Sequence, residues 1–292
     1  MEKEKLGHII AFVTVLIWGL TFVSTKILLE NFTPVVILFI RFMLGYIALL
    51  LIYPKLAFIF PLKQEIYFIA AGFFGIFLYL ILENSALYYT LVSNVGLIVA
   101  ISPFMSALLS YLFLKEEHIQ PLFYVSALLS IIGVGFIMFN GSFVFKIHPL
   151  GDILAFIAAF SWAVYSLFVK KISGLKIHPI QATRKIFFYG LFFTVIYIFI
   201  KGTKININDL FTINNSLNFL FLGFGASALC FVSWSKAVTL IGTVKTSIYI
   251  YLIPVLTVIS SIIILHENIT LYSFIGIIFI ISGLALLHFQ KQ

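Results

Sequence analysis

The chain reads as long apolar runs broken by short polar or turn-forming punctuation. A bilayer-crossing helix needs about 20 predominantly apolar residues, because every backbone N–H and C=O must find its partner inside the segment. Ten runs meet that need, near 6–29, 34–53, 65–88, 92–114, 121–140, 149–170, 179–200, 216–237, 242–265 and 271–289. The breaks carry turn chemistry, as at Phe32-Thr33-Pro34, Asn140-Gly141-Ser142, Ser173-Gly174 and Asn214-Asn215. Pro34, Pro121, Pro149 and Pro179 fall at or near helix starts, where the missing N–H costs no hydrogen bond. The pattern predicts an all-α integral membrane protein of ten transmembrane helices.

Composition sharpens this. The 292 residues are 62% hydrophobic and 10% charged, with a mean hydropathy of +1.17. Soluble domains carry about 25% charged residues, so an ordinary soluble enzyme is excluded. The 18 Lys+Arg against 10 Asp+Glu leave a net charge of +8, yet the cations are scattered at the ends of apolar runs rather than gathered into a patch. That placement argues against a nucleic-acid partner. The one cysteine, Cys230, sits in an apolar run and reads as a packing residue. The first run, Leu6 to Leu29, exceeds the ~7–15 residues of a signal peptide's apolar region and lacks a small-residue cleavage site, so it is expected to remain as a span.

An even number of spans places both termini on one face of the membrane. That face collects Lys3, Lys5, Lys55, Lys63, Lys115, Lys170, Lys171, Lys176, Lys236 and Lys291, against Lys26, Lys146, Lys201 and Lys204 on the other. Lysine-rich short loops stay in the cytoplasm. Both termini are therefore expected to be cytoplasmic, with the protein in the inner membrane.

The chain also repeats itself. Gly7, Trp18 and Lys26 recur 144 positions later as Gly151, Trp162 and Lys170, and Pro103 and Glu116 recur 151 positions later as Pro254 and Glu267. The halves divide as 1–145 and 146–292, five spans each. Five is odd, so the second copy enters the membrane from the opposite side, as an inverted repeat. Such pairs hold a solute near mid-membrane and expose it alternately to each face.

Trp18-Gly19 and Ser161-Trp162-Ala163-Val164-Tyr165 in the opening helix of each copy, with Pro103 to Glu116 and Pro254 to Glu267 closing the fourth, resemble the drug/metabolite transporter superfamily and its EamA-type family. Arg41 in the second helix fits the same pattern, whereas Arg184 stands two residues closer to its proline. The resemblance spans the chain and implies ten transmembrane helices in two inverted five-helix repeats. It also implies export of amino acids, other metabolites or drugs.

Ionisable groups within a span need a reason to be there. Arg41 and Glu83 are expected in the outer half of the membrane, either as a fixed pair registering two helices or as a working pair. In the second role Glu83 takes a proton or an amine, and Arg41 offers its fork to a carboxylate or phosphate. Lys245 either reaches lipid phosphates or points into the cytoplasmic mouth, sharing a helix stripe with Tyr249 and Leu252. Trp18, Trp162 and Tyr165 are read as lining the solute cavity, with Asn84 and Asn94 offering hydrogen bonds. Trp234, near a span end, is read as an interfacial belt residue. Pro103 and Pro254, taken as mid-span, are expected to kink their helices as gating points. Ser102, Ser106 and Ser110 form a small-residue stripe on the fourth span. Glu116, Glu117, His266 and Glu267 read as solvated ends.

No metal site, cofactor motif or nucleotide-binding loop is present in the sequence, so an ion or solute gradient, with protons as one candidate, is expected to supply the energy. The function expected is a secondary transporter exporting a small organic metabolite, with an amino acid-like solute favoured and no enzyme activity. Two rivals remain at this level: a broad exporter of hydrophobic cations on the same scaffold, and a lipid-linked sugar flippase or accessory subunit. The oligomeric state is not readable from the sequence.

Overall fold

The computed structural model describes residues 2–55, 62–89, 95, 98–114, 121–139, 149–175, 177–203, 207–256, 259 and 270–289, and every statement below concerns these. The first half contains α1 (Glu2–Leu28), α2 (Pro34–Ile52), α3 (62–89), α4 (Ser102–Leu114) and α5 (Pro121–Phe139). The second contains α6 (Pro149–Ser173), α7 (Pro179–Lys201), α8 (213–241), α9 (243–256) and α10 (Leu271–Phe289). Pro34 and Pro179 occupy the first helical turn of α2 and α7, and Gly202 ends α7 at φ 60°, in the left-handed conformation that suits glycine.

Six helical stretches are long and apolar enough to cross a membrane, while 102–114, 121–137 and 271–286 are shorter apolar helices. One of the six runs over 44 residues, 213–256. At 1.5 Å per residue it would extend about 65 Å, twice a bilayer's hydrocarbon core. Gly242 divides it at φ 81° and ψ 167°, a backbone conformation essentially confined to glycine, and so separates α8 from α9.

Helix contacts come in pairs across the two halves. α1 packs along α8 and α6 along α3; α2 packs on α8 and α7 on α3. α2 meets α7, and α5 meets α10. Small residues make the last contact close. A Cβ on Gly133 would lie 2.6 Å from the carbonyl oxygen of Gly276, and one on Gly276 would lie 2.5 Å from that of Gly133. Two aromatic contacts are between corresponding residues: Trp18 on Trp162, with centroids 5.6 Å apart, and Phe42 on Phe187 at 4.8 Å. Contacts between corresponding residues thus join α1 to α6 and α2 to α7.

Both α3 and α8 are interrupted by π-helical segments, Gly72–Leu78 and Phe221–Leu229. Such segments leave backbone carbonyls outside the regular ladder. Side chains reach in to occupy them: Ser161 Oγ donates to Phe74 O at 2.7 Å and Trp18 Nε1 to Ala226 O at 3.0 Å.

Pro103 stands at the second residue of α4 rather than in mid-helix, immediately after a turn at Ala100–Ile101. Pro254 follows a tight 3-10 turn at Ile248–Tyr251. Each ring removes one helical N–H, and the irregularity falls within the turn preceding it.

Candidate functional site

All three tryptophans converge where the halves meet. Trp18 of α1 lies 5.1 Å from Trp234 of α8, and Trp162 of α6 lies 6.0 Å from Trp234, between ring centroids. Phe231 joins both, at 5.6 Å from Trp18 and 6.4 Å from Trp162. Tyr79 and Tyr165 each stand 5.1 Å from Trp162. The expectation of a belt position for Trp234 is therefore corrected: its side chain is 1% exposed and lies inside the cluster. The cause is the length of α8, which continues to Gly242 and places Trp234 two turns within the helix. The cluster also gathers Trp18, Trp162 and Tyr165, the aromatic residues singled out from the sequence.

Charge enters the same region from α2 and α3. Arg41 is buried, 9% exposed, and its Nε donates to Ser227 Oγ at 3.0 Å while its guanidinium lies 5.2 Å from the centroid of Phe42. Glu83, half-buried, accepts a hydrogen bond from Tyr79 Oη at 2.7 Å, one helical turn earlier. Arg41, Glu83 and Tyr79 lie within electrostatic reach of one another. A guanidinium with a hydroxyl acceptor and a carboxylate with a hydroxyl donor thus flank the aromatic cluster, through helices that meet at its rim. Ser227 and Tyr79 were not among the sequence candidates. Tyr79 was detectable at the i−4 position to Glu83, whereas Ser227 is 186 residues from Arg41 and carried no local signal.

Other candidates stand elsewhere. Lys245 is on the surface, its side chain 53% exposed, and pairs with Glu4 Oε1 at 3.1 Å. Tyr249 shares its helix stripe, as expected, and its hydroxyl lies 2.8 Å from His8 Nδ1. Both contacts tie α9 to the first turns of α1 over a small cluster of Ala11, Ala237 and Ile241, and Tyr249 also packs against the core cluster that holds the tryptophans. Asn84 is half-buried on α3 beside Glu83. Asn94, Glu116, Glu117, His266 and Glu267 lie outside the described residues. Arg184 is no second Arg41: it donates to Tyr53 O, and to Lys55 O at 2.6 Å, clamping the chain that leaves α2. Ser102, Ser106 and Ser110 are all buried where α4 packs on α6 and α8. No group of three or more His, Cys, Asp or Glu placed to hold a metal occurs among the described residues.

A membrane-embedded bundle built from two helical halves, with a buried guanidinium and a half-buried carboxylate at their junction, defines a multi-pass transporter scaffold. The EamA-like transporter family model matches residues 5–139 and 149–289, and the chain belongs to that family. It is 26% identical over 283 residues to an uncharacterized transporter of Archaeoglobus fulgidus, covering 96% of both chains. It is also 26% identical over 295 residues to a probable amino-acid metabolite efflux pump of Escherichia coli, covering 96% of this chain and 94% of that one. A solved crystal structure superposes with a TM-score of 0.82 over 98% of this chain and 99% of its own, at 17% identity, a likeness of fold alone.

Proposed function

We propose that the protein is a secondary transporter of the inner membrane that exports an amino acid-like solute by alternating access. Ten spans form two inverted five-helix repeats, residues 1–145 and 146–292, with both termini in the cytoplasm. The matched helix contacts and the counterpart contacts Trp18–Trp162 and Phe42–Phe187 support that arrangement. The solute binds at the junction of the halves, against Trp18, Trp162 and Tyr165. Arg41 receives its carboxylate, and Glu83, steadied by Tyr79, receives its ammonium or a coupling proton. Pro103 and Pro254 stand beside the irregular turns at which α4 and α9 flex.

The observation that carries this reading is the flanking of one aromatic cluster by Arg41–Ser227 and Tyr79–Glu83. Opposite charges beside a shared apolar cluster match a zwitterion, and the E. coli relative is named for amino-acid metabolites. A second reading, export of hydrophobic cations, draws on the same rings, whose faces attract positive charge.

Purified protein in liposomes decides between them. Labelled amino acid should move down an imposed gradient, and Arg41→Ala should lower the flux by about tenfold to a hundredfold, the value of a charged hydrogen bond. Transport of a hydrophobic cation that needs Glu83 and tolerates Arg41→Ala establishes the second reading instead. Failure to move any amino acid under any gradient overturns the first.

A further inference from the structure

Two indole N–H groups of the tryptophan cluster are buried without partners among the described residues. At Trp18 the indole N–H is taken up by Ala226 O, a carbonyl of the π-helical segment of α8. At its counterpart Trp162 the equivalent service to α3 is performed by the neighbouring side chain, Ser161, on Phe74 O. The ring of Tyr165 covers Gly75, the position corresponding to Ala226. Trp162 Nε1 is consequently left over, buried and without an acceptor among the described residues, on a side chain 6% exposed.

The second donor is Trp234 Nε1, equally buried and equally without an acceptor. Counting 151 positions back, Trp234 corresponds to Glu83, so the frame places a donor in one half where it places a carboxylate in the other. A buried polar group without a partner is disfavoured, and most native ones are satisfied. Two such donors on neighbouring rings therefore point to an acceptor that arrives with the ligand.

That acceptor is not the carboxylate assigned to Arg41. Ser227, which marks the guanidinium, and Trp234 are seven residues apart on α8, roughly 10 Å along its axis. We infer that Trp162 and Trp234 are specificity-determining residues whose indole N–H groups receive a second oxygen, at the far end of the solute. Amino acids whose side chains end in a hydrogen-bond acceptor are then preferred over aliphatic ones of similar size. The inference rests on the amino-acid reading above.

All the tryptophan fluorescence of the protein arises in this cluster, so titration of the purified protein with glutamine and with leucine reads binding directly. Wild type should bind glutamine about tenfold more tightly. Trp162→Phe and Trp234→Phe, which keep a ring and lose the N–H, should each bring the ratio of glutamine to leucine affinity to within about twofold of one. Leucine binding also reports that each variant is folded. Equal affinity for the two amino acids in wild type, or an equal loss for both in the variants, overturns the inference while leaving the amino-acid reading standing. Binding of neither overturns that reading and the inference together.

Discussion

The π-helical segments of α3 and α8 occupy corresponding places in the two halves and are chemically opposite. Beside the α8 segment stand Arg41 and Ser227; at the corresponding positions beside the α3 segment stand Ile186 and Ile76. Both places join the second helix of one half to the third helix of the other, yet Arg41 and Ser227 share a charged hydrogen bond whereas Ile76 packs its side chain on Gly190. Likewise Trp18 occupies the freed carbonyl of one segment and Ser161 that of the other. Duplication supplies a frame in two copies, and divergence within it supplies the Arg41–Ser227 contact in one copy. An asymmetric solute needs that, because a site identical on both sides of a two-fold axis would present the same group to both of its ends.

The largest stability effect should separate the two segments by packing. A Cβ on Gly72 would lie 2.7 Å from Ile186 O and 2.8 Å from Gly190 N, both backbone, whereas one on Gly45 meets a Phe187 ring carbon at 3.0 Å and Gly223 O at 3.2 Å. Gly72→Ala should therefore cost about 1–3 kcal/mol and lower the unfolding temperature in detergent, with Gly45→Ala costing less. Equal losses would mean that the two interfaces are equally tight, and the contrast would fail.

The carbonyl contacts should give a smaller difference. Ser161→Ala and Trp18→Phe each remove one donor from a π-helical carbonyl, at about 1 kcal/mol. Thermal unfolding of both variants would check this, and Trp18→Phe should also reduce transport because its ring belongs to the cluster.

The smallest effect belongs to the exposed end of the molecule. Lys245→Ala breaks a solvent-exposed ion pair with Glu4 and should change stability by no more than about 1 kcal/mol, less at high salt. The charge-reversed pair Glu4→Lys with Lys245→Glu should restore whatever either single change loses. A large loss from Lys245→Ala in transport but not in unfolding would bring this lysine back into the solute path.

Much of the frame was legible because lipid imposes a simple rule: a segment must hold its own hydrogen bonds and show apolar side chains outward. Run length, the proline-marked helix starts of α2, α6 and α7, and the recurrence of Trp18 as Trp162 all follow from it. Individual side chains near the site were less legible. Lys245 and Tyr249 share a stripe that helical spacing correctly describes, but spacing says nothing of what faces the stripe, which proved to be Glu4 and His8 of α1. Trp234 was misplaced because the end of its helix is set by Gly242, a single residue with backbone freedom, rather than by a change in hydropathy.

The order of residues alone therefore settled the membrane class, the approximate helices, the duplication and the presence of an arginine and a glutamate too costly to be incidental. Folding in three dimensions decided which groups meet: Arg41 with Ser227, Trp18 with Ala226, and three tryptophans in one cluster. These pairings join residues some 70 to 210 positions apart. Hydropathy is a property of each segment and can be summed along it, whereas a contact depends on the rotation and depth of two helices at once. No local pattern encodes that pair of quantities.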